Sequence, residues 1–289
     1  MSWSIPGPGM RSEPGPVLVW RQGGCRVYVP TATGTAAHLP WPAIVERVLA
    51  GVDLSPAAGA VGRGAVAEIS GGCCGLSFDL IARQYRRGGL LRRLRRDVFR
   101  SPSRFLNELR IHARVRELGV PAPEPLGVIA VASPDRFGWQ GFLVTRRLVG
   151  VTGLAEWLCQ ALPPERLTLA QELGRGLRCL HRAGIFYADL QIHNVLVAAG
   201  RPFFIDFDKS RLFPTPLSES RCRANLYRFA RSLEKFRCRG GCFGHLEPVA
   251  FLQAYAPEPA AYRRLFAALA RGLLWRRLFY RVGWWLNRS

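Results

Sequence analysis

AGIFYADLQIHNVLVAAGRPFFIDFDKSR, residues 183–211, sets two short apolar runs, NVLVAA and FFI, between acidic and amide side chains. Asp189, Asn194, Asp206 and Asp208 all fall inside it, although only 20 of 289 residues are Asp or Glu and the formal net charge is +21. The runs read as two adjacent, paired strands. Asp189 and Asn194 lie on the loop ahead of the first strand and Asp206 just beyond the second, so three oxygen-bearing side chains stand at the ends of the two strands. Hard oxygen donors of this kind suit Mg²⁺, which keeps part of its water shell and takes other ligands from nucleotide phosphates. A carboxylate outside that set can accept a proton from an attacking hydroxyl.

Upstream, the chain reads as strands interrupted by one long helix. VLVWRQGGCRVYVP (17–30) predicts a hairpin about Gly23-Gly24, and WPAIVERVLA (41–50) a short helix. GAVGRGAVAEIS and LSFDLIARQY are strand-like runs on either side of GGCCG, the first broken at Gly62-Arg63-Gly64. SPSRFLNELRIHARVRELG carries helix punctuation: Ser101 as cap, Pro102 in the first turn and Gly119 as stop. Its apolar stripe is Phe105, Leu106, Leu109 and Ala113, with Glu108 at the edge. GVIAVAS and GFLVTRRLVG complete the strands. Beyond Gly150 the pattern turns helical, with Leu169, Leu173, Leu177 and Leu180 on one face of 164–183 and further helices over 224–236 and 262–274. The expected fold is therefore α+β and bilobal. A flexible lead-in (1–16) precedes a small antiparallel-sheet lobe (17–149), which is followed by a mainly helical lobe (150–289).

The basic excess is nearly all arginine, the only lysines being Lys209 and Lys235, and it implies an anionic partner: nucleic acid, a phospholipid surface or a phosphorylated substrate. Charge alone does not choose among them. No run approaches the roughly 18 apolar residues of a membrane span, and the N-terminus lacks signal-peptide order, so a cytoplasmic location is expected. The eight cysteines show no second ligand pair at zinc spacing, and reduced thiols are expected.

The spacing D-x4-N … D-F matches the protein-kinase catalytic signature, in which one Asp is the base and the Asn and the second Asp hold metal. Such a pair alone is weak, because Asx side chains often satisfy loop backbone. Here a glycine break, a basic residue late in a following strand (Arg83) and a helix bearing Glu108 precede it in the right order. GRGAVAEI, RQYRRGGLLRRL, FLNELRIHARVRELGVPAPEPLG, FYADLQIHNVLV, FFIDFDKSR and ANLYRFARSLEKF run in sequence over about residues 60–236. Together they resemble the 3-deoxy-D-manno-octulosonic acid (Kdo) kinases of the lipopolysaccharide kinase family, whose fold is protein-kinase-like. The resemblance implies ATP- and Mg²⁺-dependent phosphorylation of a Kdo sugar on a lipid A precursor, at the cytoplasmic face of a bacterial inner membrane, with no nucleic-acid partner. It also implies Asp189 as base, Asn194 and Asp206 as metal ligands, and Gly62 and Gly64 over the phosphates. Glu108 becomes the helix partner of a strand cation.

Three features depart from the protein-kinase pattern. Tyr187-Ala188-Asp189 replaces His-Arg-Asp, removing the arginine that would receive an activation-loop phosphate. Asp206-Phe207-Asp208 replaces Asp-Phe-Gly, and Asp208 either holds the loop or reaches the metal. No lysine precedes Lys209, so Arg83 takes the place of the strand lysine; its fork can bridge Glu108 and phosphate. Within the arginine-rich run 83–100, Arg86 and Arg87 are the candidates for acceptor phosphates, most of the others reading as a solvated face. Tyr187 and His193 read as packing residues. In LWRRLFYRVGWWLNRS (274–289) one helical face would be apolar and the other basic, which suits either an anionic membrane interface or docking on the helical lobe. Two alternatives to the Kdo kinase remain: a kinase of another glycan or small molecule on the same fold, and a non-catalytic binder of anionic lipid or nucleic acid.

Overall fold

A computed structural model of the chain describes residues 16–31, 34–50, 66–86, 97–133, 138–242 and 244–271. Gly62, Gly64, Arg87 and the segment 274–289 lie outside the described residues.

The first half is built on a six-stranded antiparallel sheet. Strands β1 (Val17–Gln22) and β2 (Cys25–Val29) form the expected hairpin, with Gly23 and Gly24 at φ 53° and 81°, where only glycine is unstrained. Helices α1 (Gly34–Ala37) and α2 (Trp41–Ala50) follow, and Trp41, Ile44 and Val48 bury against the sheet. Next come β3 (Val66–Ile69) and β4 (Leu80–Gln84), joined through a 3₁₀ turn at Gly71–Cys74. The long helix α3 (Ser103–Glu117) leads to β5 (Pro125–Ala132) and β6 (Trp139–Arg146). The strand order is β1-β2-β5-β6-β4-β3.

The second half is mainly helical. β7 (Val151–Gly153) precedes α4 (Leu154–Gln160) and α5 (Pro163–Arg182). The short β8 (Ile185–Phe186), β9 (Val195–Ala198), β10 (Arg201–Phe204) and β11 (Arg211–Leu212) carry the stretch quoted at the outset. α6 (Glu219–Arg237), α7 (Leu246–Tyr255) and a helix starting at 259 complete the described chain. Leu169, Leu173, Leu177 and Leu180 are buried in one core with Val195, Val197 and Phe204, as their spacing predicts. β9 and β10 pair antiparallel with Phe204 opposite Val195, turning at Ala199-Gly200. That register places Asn194 and Asp206 at the same end of the pair.

Two sequence expectations shift in detail. Pro102 rather than Ser101 occupies the N-cap of α3, because the proline ring already holds a helical φ of −75°. The buried face of α3 comprises Phe105, Glu108, Leu109, Ile111, His112 and Val115, which moves Glu108 from the edge of the stripe to its middle. Phe105 and Leu109 pack with sheet residues Val128 and Leu143, whereas Ile111 and Val115 join the core of the helical half. A helix wedged between two cores needs two apolar stripes, and the polar residues between them end up buried as well.

Close approach of α5 and α7 depends on Gly174, where an added Cβ would stand 2.3 Å from the Phe251 carbonyl oxygen. Gly174→Ala should therefore lower the urea denaturation midpoint by the equivalent of about 1–3 kcal/mol, the usual cost of overpacking. Gly72→Ala, whose Cβ would meet nothing nearer than 3.8 Å, should barely change it.

Candidate active site

Arg83, near the end of β4, reaches from the sheet toward α3 and the loop after β10. Its Nη2 donates to Glu108 Oε1 at 2.6 Å, and its Nη1 stands 3.4 Å from Asp206 Oδ1. The Glu108 side chain is 1% exposed. Burial pushes its carboxyl up to about 7, against the opposing pull of the Arg83 guanidinium. For Arg83 burial works against the charge, yet Glu108 and Asp206 together hold its pKa above the usual value. A buried carboxylate with one guanidinium partner is costly to separate from it, since Glu108 left alone would be buried and uncompensated. The strand cation is therefore in place as an arginine, bridging the helix glutamate and Asp206.

The second group lies on the turn ahead of β9. Asn194 Nδ2 donates to the Asp189 carbonyl at 2.7 Å and stands 3.3 Å from Asp189 Oδ2. With its amide nitrogen so engaged, Asn194 presents its Oδ1 as the remaining donor atom. The Gln191 amide bonds Asp189 Oδ1, and Arg228 Nη1 lies 3.7 Å from the same oxygen. Asp206 adopts φ 63°, a left-handed conformation that aspartate tolerates better than most residues. Its Oδ1 is buried without a hydrogen-bond partner apart from the approach of Arg83. Ile205 N bonds Asn194 O at 3.0 Å, so the two ligand candidates are coupled through backbone.

Aromatic packing holds both loops down. Phe207 sits between His112 of α3 and Tyr187, with ring centroids at 5.1 and 4.9 Å. Burial pushes the His112 imidazole down to about 3, so it packs as a neutral ring. The Tyr187 hydroxyl lies at the carbonyls of Asn194 and Ile205, tying together the starts of both loops. The packing role expected of Tyr187 thus includes a polar tip.

One face of α6 supplies residues that sequence spacing alone passed over. Asn225, fully buried, accepts from Tyr187 N (3.0 Å) and donates to Tyr187 O (2.8 Å). Arg228 meets Asp189, and Ser232 Oγ accepts from Ile192 N at 2.9 Å. Positions 225, 228 and 232 share a helix face, from which Asn225 and Ser232 hold the 187–192 backbone in register. Because the Asn225 amide NH₂ is committed to Tyr187 O, its oxygen faces His181, so His181 Nε2 carries the proton and Nδ1 accepts from Tyr255 at 2.7 Å. The i, i+3, i+7 spacing of Asn225, Arg228 and Ser232 was legible; its meaning was not, since only the fold shows which surface that face meets. Arg86, the described acceptor candidate, stands 3.8 Å from Asp97 at the border of the described residues.

A profile of the lipopolysaccharide kinase (Kdo/WaaP) family matches residues 70–247, well over half of the sequence. The chain belongs to this family. Within it, a 3-deoxy-D-manno-octulosonic acid kinase of Xylella fastidiosa (strain 9a5c) is 35% identical over 166 residues, covering 55% of this chain and 63% of that protein. The namesake from Xanthomonas campestris pv. campestris (strain B100) is 35% identical over 162 residues, covering 54% and 62%. The match thus spans less of those relatives than their full length. A solved structure described as "WaaP in complex with acyl carrier protein" has a TM-score of 0.50 at 16% identity, covering 71% of this chain and 80% of that one. That likeness establishes the kinase-like fold of the lipopolysaccharide kinase chain.

The His181–Asn225 link gives a pH signature. Burial pushes His181 down to about 4, against the Asn225 bond. A histidine with a lowered folded pKa binds fewer protons when folded, so its contribution is full above about 6.5 and is lost as pH falls toward 4. His112 acts in the same direction. Between pH 7 and 4.5 the wild type should lose on the order of 2–3 kcal/mol through His181. His181→Gln, which keeps a donor for Asn225, should lose measurably less in urea titrations at the two pH values.

Proposed function

We propose that this protein is a Kdo kinase, which transfers the γ-phosphoryl group of ATP to a hydroxyl of Kdo on a lipid A precursor in lipopolysaccharide core synthesis. The observation that carries the reading is the convergence of Arg83, Glu108 and Asp206 across the two halves, beside Asp189 and Asn194, in a chain of the lipopolysaccharide kinase family. On this reading the lobes are 17–149 and 150–289, and ATP lies between them.

Asp189 accepts the proton of the acceptor hydroxyl as its oxygen bonds to the γ-phosphorus; the bond from that phosphorus to the β–γ bridging oxygen breaks and ADP leaves. Gln191 fixes the direction of the Asp189 carboxylate. Arg83, held by Glu108, faces the nucleotide phosphates with a planar fork. Gly62 and Gly64 cover those phosphates, and Arg86 and Arg87 contact phosphates of the lipid acceptor. Asp206 and Asn194 would hold Mg²⁺: the buried, unbonded Asp206 Oδ1 and the free amide oxygen of Asn194 are hard donors suited to that ion. When bound, the ion neutralises charge on the phosphates. Arg228 is half-exposed beside the base, and its loose 3.7 Å pairing leaves it able to meet an anionic group of the acceptor.

Labelled ATP offered with Kdo-lipid A, lipid A lacking Kdo, or free Kdo tests the acceptor. Label should enter Kdo-lipid A and be absent from lipid A lacking Kdo; equal labelling of both would overturn the Kdo assignment. Asp189→Ala should abolish most turnover while Mg·ATP still binds, whereas Asp206→Ala should also weaken nucleotide binding. Near-normal turnover in Asp189→Ala would remove it as base. Arg83→Lys should recover part of the rate lost in Arg83→Met.

No described helix is long and apolar enough to cross a membrane. Peripheral attachment at the cytoplasmic face of the inner membrane is proposed from the basic, tryptophan-bearing sequence 274–289. Deleting those residues should reduce binding to anionic liposomes at matched salt, yet spare turnover on a detergent-dispersed acceptor. Undiminished liposome binding would sink the attachment.

A further inference from the structure

Asp206 and Lys209 both hold left-handed backbone, at φ 63° and 62°, within five residues of loop. Such a backbone persists in non-glycine residues only where the surroundings fix it. Most of what fixes it here comes from α3. Arg104 Nε donates to Asp208 Oδ1 at 2.7 Å, and Arg104 Nη2 bonds Asp208 Oδ2, so the fork spans both carboxylate oxygens. The guanidinium also lies over the Phe99 ring, 4.8 Å from its centroid, which holds the fork in position. One turn on, Asn107 Nδ2 donates to Ser210 O at 3.1 Å, and Ser210 Oγ accepts from Ala188 N at 3.2 Å, next to Asp189. Glu108 holds Arg83 against Asp206, and His112 packs on Phe207. Arg104, Asn107 and His112 of α3 thus contact Asp208, Ser210 and Phe207, and Glu108 reaches Asp206 through Arg83.

With both oxygens engaged by one guanidinium, Asp208 is a partner for α3 rather than a third metal ligand. Bidentate pairing with arginine fixes direction as well as distance, and the pair is only partly exposed, 25% for Arg104 and 17% for Asp208. Ala188 stands where an arginine would be needed to read a phosphorylated loop.

We propose that Arg104 and Asp208 form a latch that positions the Asp206 carboxylate for Mg·ATP, so that the loop is assembled by the fold itself and needs no phosphorylation. Arg104 is then a positioning residue; it acts through Asp208 and does not touch the nucleotide. The proposal rests on the reading of Asp206 as a metal ligand.

Arg104→Gln and the near-isosteric Asp208→Asn, made in the full chain, test it by two readouts that need no acceptor. In nucleotide-free protein, both variants should speed hydrogen exchange of the 207–210 amides while the thermal midpoint stays close to wild type. In titrations with a fluorescent ATP analogue and Mg²⁺, each should raise Kd by about tenfold, as expected for loss of one charge-assisted contact. The double variant should be no worse than either single, since both remove the same interaction. The exchanged pair Arg104→Asp with Asp208→Arg should recover part of the affinity. Phosphatase treatment of the wild type should leave its affinity unchanged.

Weakened Mg·ATP binding in Asp208→Asn with wild-type binding in Arg104→Gln would make Asp208 a metal ligand and overturn the latch. Unchanged exchange and affinity in both singles would reduce the pair to a surface contact. A loss of affinity on phosphatase treatment would overturn the self-assembled loop. An Asp206→Ala protein with wild-type Mg·ATP affinity would instead overturn the site reading beneath the proposal, and a wrong acceptor would affect none of these measurements.

Discussion

A carboxylate with 1% of its surface exposed has to be paired, and much of this molecule is arranged so that Glu108 can be. Its partner is on β4, its helix lies between two cores, and the guanidinium that neutralises it also approaches Asp206. Removing Arg83 would leave Glu108 buried and uncompensated, which costs far more than an exposed ion pair contributes. The sheet and the helical half are therefore held in one relation by electrostatics as well as by the apolar contacts of α3. Tyr85 follows the same logic: it lies over the Arg83 guanidinium, 5.0 Å from ring centroid to its central carbon, and burial pushes its hydroxyl well above its usual pKa.

The helical half supports the site differently. Here the supports are neutral hydrogen bonds to backbone, made by Asn225 and Ser232 from one face of α6. Neutral partners are inexpensive to bury when fully satisfied, and Asn225 uses both ends of its amide while His181 and Tyr255 fix which end is which. The charged contacts of Arg83 and Arg104 span the boundary between halves, where solvent reaches Arg83 and Asp206 in part, and the neutral bonds of Asn225 lie in the interior. On the proposed kinase reading both are needed: the base would be held still, while the cation facing phosphate would remain charged.

Arginine serves this chain where lysine is usual. Arg83 can satisfy Glu108 and face Asp206 at once because its fork has several donors in fixed directions, whereas an ammonium is a single point of charge. The same fork geometry lets Arg104 occupy both oxygens of Asp208.

The strands, the long helices and the order of Arg83, Glu108, Asp189, Asn194 and Asp206 were legible in the sequence. The hairpin at Gly23-Gly24 is dictated by glycine at positive φ, and the leucines of α5 by helical period. Those are local matters of backbone sterics and one-dimensional pattern, which a chain carries in its own order of residues. Glu108 could be identified but not placed: apolar periodicity set it at the edge of a stripe, because a pattern cannot show that α3 is buried on two sides. The role of Asp208 could not be chosen; the spacing of Asn225 had no meaning without the surface it meets, and Arg104 and His181 gave no signal at all. Their partners lie 38, 104 and 74 residues away along the chain. A side chain that bonds a distant backbone or carboxylate needs only the right shape at the right place, and many residues of its kind occur by chance. Sequence determined which elements form and which groups are candidates for the chemistry; only the tertiary structure decided which groups hold them still, because that depends on distances between elements that no local spacing encodes.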